Sequence, residues 1–267
     1  AADPARRRVR AVRLVSALLL IAAACHAENW PQWRGSLFTG ASPEKNLPSE
    51  WSKTANIAWS TDMPGPSAAT PIIWDDHVFV SSTDSANESL LAMCFDRKTG
   101  KVLWQETMAK SIRRDSKSTY SAPSPVTDGK LVVFFFSSGE LAGFDFAGKK
   151  LWSRNIQTDY GPFAFQWTFS SSPLLFEGKL YLQVLQRDVP VRGSGRADGP
   201  NESYLLAMDP ATGKTLWRHL RPSAAVAESR EAFSTPVPPR PISRKIRKSP
   251  SAARGESVES LAPASSV

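Results

Sequence analysis

The feature that most limits how this chain can fold is an internal repeat. Ser67 to Glu106 contains Thr70-Pro71-Ile72-Ile73-Trp74-Asp75-Asp76-His77, then Leu91-Ala92, then Asp96-Arg97-Lys98-Thr99-Gly100-Lys101-Val102-Leu103-Trp104. The same plan returns as Ser124-Pro125-Val126-Thr127-Asp128-Gly129, Leu141-Ala142 and Asp145-Phe146-Ala147-Gly148-Lys149-Lys150-Leu151-Trp152. It returns again as Ser172-Pro173-Leu174-Leu175-Phe176-Glu177-Gly178, Leu206-Ala207 and Asp209-Pro210-Ala211-Thr212-Gly213-Lys214-Thr215-Leu216-Trp217. A fourth unit opens at Thr235-Pro236-Val237 and is not completed. The prolines stand 54, 48 and 63 residues apart and the closing tryptophans 48 and 65 apart. Repeats of this length mean a propeller or solenoid, in which each unit buries its apolar faces only against its neighbours.

Each unit divides into four short apolar runs separated by turn residues, which predicts four strands. Asp128-Gly129, Glu177-Gly178 and Asp75-Asp76 suit tight turns where φ becomes positive. Asp96 and Asp209 are placed to bond turn amides through their carboxylates and are read as structural. The closing Trp is too large to be covered within its own unit, so it should pack on the next. No stretch of the middle sustains a helical period. The fold class is therefore all-β, a β-propeller of four-stranded blades, incomplete, with about three to four blades present.

Charge and composition divide the chain into three parts. The net charge of +8 is concentrated at the ends: residues 1–27 hold five Arg and one Asp, residues 240–267 hold six basic and two acidic residues, and residues 28–239 hold 22 of each. A basic folded face is not implied, and nucleic-acid binding loses its support. In residues 1–27, arginines precede the apolar stretch Leu14 to Ala24 and then Cys25-His26-Ala27, the order of a secretory signal peptide with cleavage expected after Ala27. The 11-residue apolar stretch is too short for a transmembrane span. A second reading makes Cys25 a lipid anchor, although Ala22 stands where a bulky aliphatic is expected. Either way the chain is exported, to the periplasm or cell envelope, and Cys94 is left without a disulfide partner, as a buried strand residue. Residues 240–267 lose the aromatics and the periodicity and read as a disordered basic tail or, on a second reading, as a segment not native to the domain.

The pattern Asp-x-x-Thr-Gly-Lys-x-Leu-Trp resembles the repeat of the pyrroloquinoline-quinone-like (PQQ-like) β-propeller family. The opening Trp30-Pro31-Gln32-Trp33-Arg34-Gly35, then Leu47-Pro48-x-x-Trp51 and Ile57-Ala58-Trp59, is similar to the start of secreted bacterial members. The resemblance covers residues 29–238, within a domain of 28–239, and implies closure by seven or eight blades. The chain is then expected to be a truncated or frame-shifted product of a longer gene. Family members include quinone-dependent dehydrogenases and the scaffold of outer-membrane protein assembly, so the resemblance specifies fold more than function.

A dehydrogenase of this family implies a calcium site of Glu, Asn and Asp, a catalytic Asp, and commonly adjacent cysteines; Cys94 is alone. His77 and His219 have no partner at metal-ligand spacing and are read as solvated or satisfied. Gly193-Ser194-Gly195-Arg196-Ala197-Asp198-Gly199 lacks the Gly-Lys-Ser/Thr end of a phosphate loop and is read as a long loop between strands. Arg113-Arg114-Asp115-Ser116-Lys117 is read as a solvated connection or one rim of a partner site, and Asn87-Glu88-Ser89 with Asn201-Glu202-Ser203 as a repeated strand-opening motif. No catalytic, cofactor-binding or metal-binding residue is assigned, and no nucleophile and base can be paired. The expected function is a non-catalytic binding or scaffolding propeller, whose loops 110–121 and 187–200 present polar and aromatic contacts to a protein or glycan partner. The alternative is an oxidoreductase, a fragment of a PQQ-dependent dehydrogenase lacking its catalytic blades, the one reading under which PQQ and calcium enter.

Overall fold

The computed structural model describes residues 28–110, 112 and 118–238. Residues 1–27, expected to be a signal peptide and including Cys25, the Arg113–Lys117 cluster and the basic tail lie outside the described residues. Apolar runs split by turns give three antiparallel sheets, each a four-stranded meander in chain order. The first holds β1 (Ile72–Trp74), β2 (His77–Asp84), β3 (Ser89–Asp96) and β4 (Val102–Ala109). The second holds β5 (Val126–Thr127), β6 (Val132–Phe135), β7 (Glu140–Phe144) and β8 (Lys150–Asn155), followed by a short helix α1 (Ile156–Tyr160). The third holds β9 (Leu174–Phe176), β10 (Lys179–Val184), β11 (Tyr204–Met208) and β12 (Thr215–Leu220). These are three blades of an incomplete β-propeller.

Burial follows position within the blade. In β3 every residue before Asp96 is buried, one face against the second blade and the other in a cluster that includes Trp59, and all of β6 is buried between the first and third blades. The outermost strands β4, β8 and β12 carry no fully buried residue and leave Leu103, Leu151 and Leu216 about half exposed. One apolar cluster, with Phe79, Phe134, Phe136 and Phe144, fills the space between the first and second blades. Another, with Phe135, Leu141, Leu182, Tyr204 and Leu206, fills the space between the second and third.

The closing tryptophans join the blades as the sequence implied. Trp104 Nε1 donates to the Phe146 carbonyl at 2.9 Å and Trp152 Nε1 to the Pro210 carbonyl at 2.9 Å, each acceptor lying in the Asp-initiated turn of the next blade. Trp59, ahead of the first blade, fills the same role toward Arg97 at 2.7 Å. The glycines of these turns, Gly100, Gly148 and Gly213, lie beneath the indoles, and a Cβ on any of them would come within 2.4 to 2.7 Å of a ring atom. Their φ values of +69°, +88° and +69° also favour glycine. One residue thus meets two demands, a left-handed turn and room for an indole. The turn is closed by the aspartate: Asp96 Oδ1 accepts from the amides of Lys98 and Thr99 and from the Thr99 hydroxyl, which holds its carboxyl below the usual range, and Asp209 Oδ1 accepts from Ala211 N. Each blade shows a register shift at this point, between Cys94 and Phe95, Gly143 and Phe144, and Ala207 and Met208.

The inner hairpins are less uniform than the sequence suggests. Asp75-Asp76 and Glu177-Gly178 are two-residue turns with Asp75 and Glu177 at φ of 49° and 47°. Asp128-Gly129 instead opens a four-residue loop, because Trp74 of the first blade lies over Gly129 and the Asp128 carboxylate turns to cap Lys130 N and Leu131 N.

Comparing two glycines isolates the indole's demand. Gly213→Ala carries the left-handed backbone cost of about 1–2 kcal/mol plus overpacking of about 1–3 kcal/mol against Trp152. Gly178, at φ +70° with nothing within 4 Å of where a Cβ would stand, carries the backbone cost alone. Urea unfolding followed by tryptophan fluorescence should find Gly213→Ala more destabilised than Gly178→Ala; equal losses would remove the steric part of the argument.

Candidate functional site

The first strands of the three sheets lie around one centre, and the opening segment crosses them all. Asn29 Oδ1 accepts from Asp75 N at 2.7 Å, and Trp30 exchanges two backbone hydrogen bonds with Ile73 of β1. Thr127 N of β5 donates to the Pro31 carbonyl at 2.9 Å. Gln32, buried, uses both ends of its amide on Leu175 of β9, accepting from Leu175 N at 3.1 Å and donating to its carbonyl at 3.4 Å. Residues 29–32 therefore form a strap over three blades, which delivers Trp33 beside the starts of the inner strands.

Just ahead of each inner strand is the Ser/Thr-Pro step of the repeat. A residue before proline is held extended, and here its backbone N–H lies outside any ladder and needs a partner. The next blade supplies one. Thr70 N donates to Ser124 Oγ at 2.9 Å, Ser124 N to Ser172 Oγ at 2.9 Å, and Ser172 N to Thr235 Oγ1 at 3.0 Å. Thr235, from the fourth unit, takes part although no strand follows it among the described residues. The result is a row of equivalent hydroxyls, each anchored by the preceding blade.

This row borders a cavity of about 540 Å³. Trp33, Trp167 and Phe233 supply aromatic surface, and Ser124, Ser170, Ser172, Ser234 and Thr235 are among the hydroxyl residues of its wall. Two connections hold the far side. The segment after α1 packs Phe163, Phe165 and Phe169 together, with Phe165 and Phe169 stacked at 4.7 Å, and Phe233 lies against Phe165 at 5.6 Å. The Arg187 guanidinium is paired with Glu231, whose side chain is fully buried, and also donates to Gln166, while Gln166 N donates to Glu231 at 3.0 Å. One ion pair thus fixes the segments that carry Trp167 and Phe233. Arg192 of the 187–200 loop lies 4.7 Å above the Trp167 ring, and Ser118 of the 110–121 loop borders the cavity, so both rim loops named from sequence reach its mouth.

None of the cavity's lining residues is Asp, Glu, His, Cys, Lys or Arg. A divalent cation such as calcium needs six to eight oxygen ligands with carboxylates among them, and among the described residues no group of three or more His, Cys, Asp or Glu is placed to hold a metal. The residues present do not fit a calcium-bound, tricarboxylate quinone. A second cavity, about 550 Å³ and lined by Trp59, Met63, Ile73, Val80 and Phe95, is the apolar outer face of the first blade.

Other residues singled out by sequence lie elsewhere. His77 stacks on Phe79 at 5.8 Å and approaches Phe146 at 5.2 Å, with its Nδ1 buried and lacking a hydrogen-bond partner among the described residues. His219 is exposed on β12. The Gly193–Gly199 stretch lies in the connection between β10 and β11, which Asn201 closes by accepting from Arg196 N at 2.6 Å and donating to the Asp188 carbonyl. Asn87 instead sits in an exposed turn, bonded to Asp84, so the two Asn-Glu-Ser copies share a position ahead of a strand but not a role. The hydroxyl row and Gln32 were not anticipated; the repeated Ser/Thr before proline was their signal, and it reads equally well as strand punctuation. Among the described residues no helix is long and apolar enough to cross a membrane.

Two outcomes follow from these placements. Cys94 is fully buried in β3, and burial pushes its thiol up to about 12 from 9.0, so the thiol form is favoured on folding, its contribution holding below pH 9 and fading as pH rises toward 12. At pH 8 iodoacetamide should leave Cys94 unmodified until urea opens the first blade; rapid native modification would contradict its burial. Arg187→Ala strands the buried Glu231 carboxylate and should cost about 3–5 kcal/mol in thermal or urea unfolding, whereas a loss near zero would mean that the pair does not hold the wall.

A protein-family model described as outer membrane protein assembly factor BamB matches residues 35–162, which span the first two blades. No curated protein matches the sequence at a significant level. Among solved structures, a europium-containing methanol dehydrogenase is similar over 58% of this chain and 25% of its own, at 16% identity and a TM-score of 0.42. The quinohemoprotein alcohol dehydrogenase from Comamonas testosteroni is similar over 58% and 21%, at 20% identity and a TM-score of 0.40. BamB from Moraxella catarrhalis is similar over 61% and 54%, at 15% identity and a TM-score of 0.35. The chain thus spans about a quarter of the dehydrogenases and about half of BamB. The family-model match over residues 35–162, together with the Trp-ending blades, supports a pyrroloquinoline-quinone-like β-propeller repeat in this part of the chain.

Proposed function

We propose that this chain is a non-catalytic binding module of the bacterial cell envelope, exported by its N-terminal signal, with the cavity bounded by the hydroxyl row as its docking site. The observation that carries the reading is the composition of that wall: three aromatic residues and several hydroxyls, with no acid, base or nucleophile-and-base pair among its lining residues. Such a wall can hold and orient a ligand but has no group suited to move a proton at neutral pH. The blades act as rigid support, and the rim loops 110–121, through Ser118, and 187–200, through Arg192, present contacts at the mouth. The match to the family model of the outer-membrane assembly factor supports the envelope setting and a partner-binding role.

A photo-crosslinking residue at Ser170, in the full chain expressed in a bacterium with its export signal, should capture an envelope component, while one at Leu151 on the outer edge of the second blade should not. Titration of the purified chain with PQQ and calcium, read by tryptophan fluorescence, should show no saturation. Saturable quinone binding, or capture equal at both positions, would overturn the binding-module reading in favour of the dehydrogenase fragment or of no site at all.

A further inference from the structure

The hydroxyl row has a property that identifies what the cavity suits. Ser124 Oγ, Ser172 Oγ and Thr235 Oγ1 each accept one backbone N–H from the blade before. None of the three has an acceptor for its own O–H among the described residues. A hydroxyl that accepts one bond still has a donor and a second lone pair to offer. The anchoring amide fixes where the oxygen sits, while the proton remains free to rotate toward whatever lies in the cavity. Three such groups recur at one structural position on successive blades, beside the rings of Trp33, Trp167 and Phe233.

We infer that the cavity binds a neutral oligosaccharide, an inference that rests on the binding-module reading above. Three features of the wall favour this class. A sugar hydroxyl both donates and accepts, and so does each group in the row, so every pairing can be satisfied in either direction. Peptide backbone would need separate donors and acceptors at strand spacing. The C–H face of a pyranose is a flat apolar patch that suits an indole, whose ring face is electron-rich. None of the lining residues is charged, which leaves a cationic peptide without a carboxylate; the nearby guanidiniums of Arg192 and Arg34 lie over the Trp167 and Trp33 rings at 4.7 and 5.4 Å, outside the lining itself. A volume of about 540 Å³ falls within the range of small-ligand sites and accommodates a few sugar units, with the open mouth letting a longer chain continue outward.

The test is a fluorescence titration of the full chain with cellopentaose, maltopentaose and N-acetylchitopentaose, with oligogalacturonate as the charged comparison. At least one neutral oligosaccharide should give a saturable change and oligogalacturonate none. Trp167→Ala should weaken that binding by about tenfold or more, Trp167→Tyr should restore part of it, and Ser170→Ala, which disturbs no hydrogen bond between described residues, should weaken it with the circular dichroism unchanged. Should Trp167→Ala fail to fold, Trp167→Tyr and Ser170→Ala carry the comparison in its place. No saturation by any of the three neutral sugars, or equal binding of the acidic one, overturns the inference. If the Ser170 crosslinker nevertheless captures a protein, the binding-module reading stands and the sugar falls; if it captures nothing, both fall together.

Discussion

The structure depends on one repeated contact, an indole from one blade laid over a glycine in the turn of the next. It joins apolar burial, a directed N–H···O=C bond and a backbone conformation that other residues resist. None of the three would fix the angle between sheets alone. Apolar surfaces slide, a single hydrogen bond to a surface turn is worth about 1 kcal/mol, and a left-handed turn tolerates other neighbours. Together they set the register between blades, much as ladder bonds set the register between strands. Trp59, Trp104 and Trp152 all make this contact. Trp217 has no next turn to lie on among the described residues; it meets Tyr181 at 6.0 Å and is 41% exposed, which shows how large an area the contact normally covers.

Much of this was legible because a repeat states its constraints several times. A turn that opens on aspartate and contains glycine recurs with a tryptophan shortly after it, and the arrangement that uses both is a stack of similar sheets. The Asp128-Gly129 loop departed from its counterparts for a reason that a single segment cannot disclose: the indole above it comes from Trp74, 55 positions away. The site was less legible for the same reason. A serine before a proline is ordinary in any loop-rich chain, and its meaning appears only when the amide of the preceding blade is seen to need it. Gln32 carries still less signal, since a lone glutamine in an extended segment gives no sign that both ends of its amide are occupied 143 residues further on.

The cavity wall and the blade interfaces divide the polar chemistry between them. Charged side chains serve the frame: Arg187 with Glu231, Arg154 with Asp159, and Arg218 lying 4.5 Å over the Tyr204 ring in the space between the second and third blades. Burial pushes the Tyr204 hydroxyl upward, so it stays a neutral member of that interior. Uncharged hydroxyls line the cavity, with Arg192 held over the Trp167 ring at its edge. Charges need partners that hold still, and the frame has them; a mouth that admits and releases a ligand is better lined by groups that water can satisfy in between.

The strap of residues 29–32 has a consequence for the order in which the molecule assembles. It is among the first parts of the described chain to be synthesised, yet its bonds reach Asp75, Thr127 and Leu175 in turn, and the last of these does not exist as a strand until most of the sequence has been made. Each blade's strands pair through local hairpins, whereas the strap closes loops of increasing length. The strap at residues 29–32 thus has its full set of bonds only when all three blades are in place.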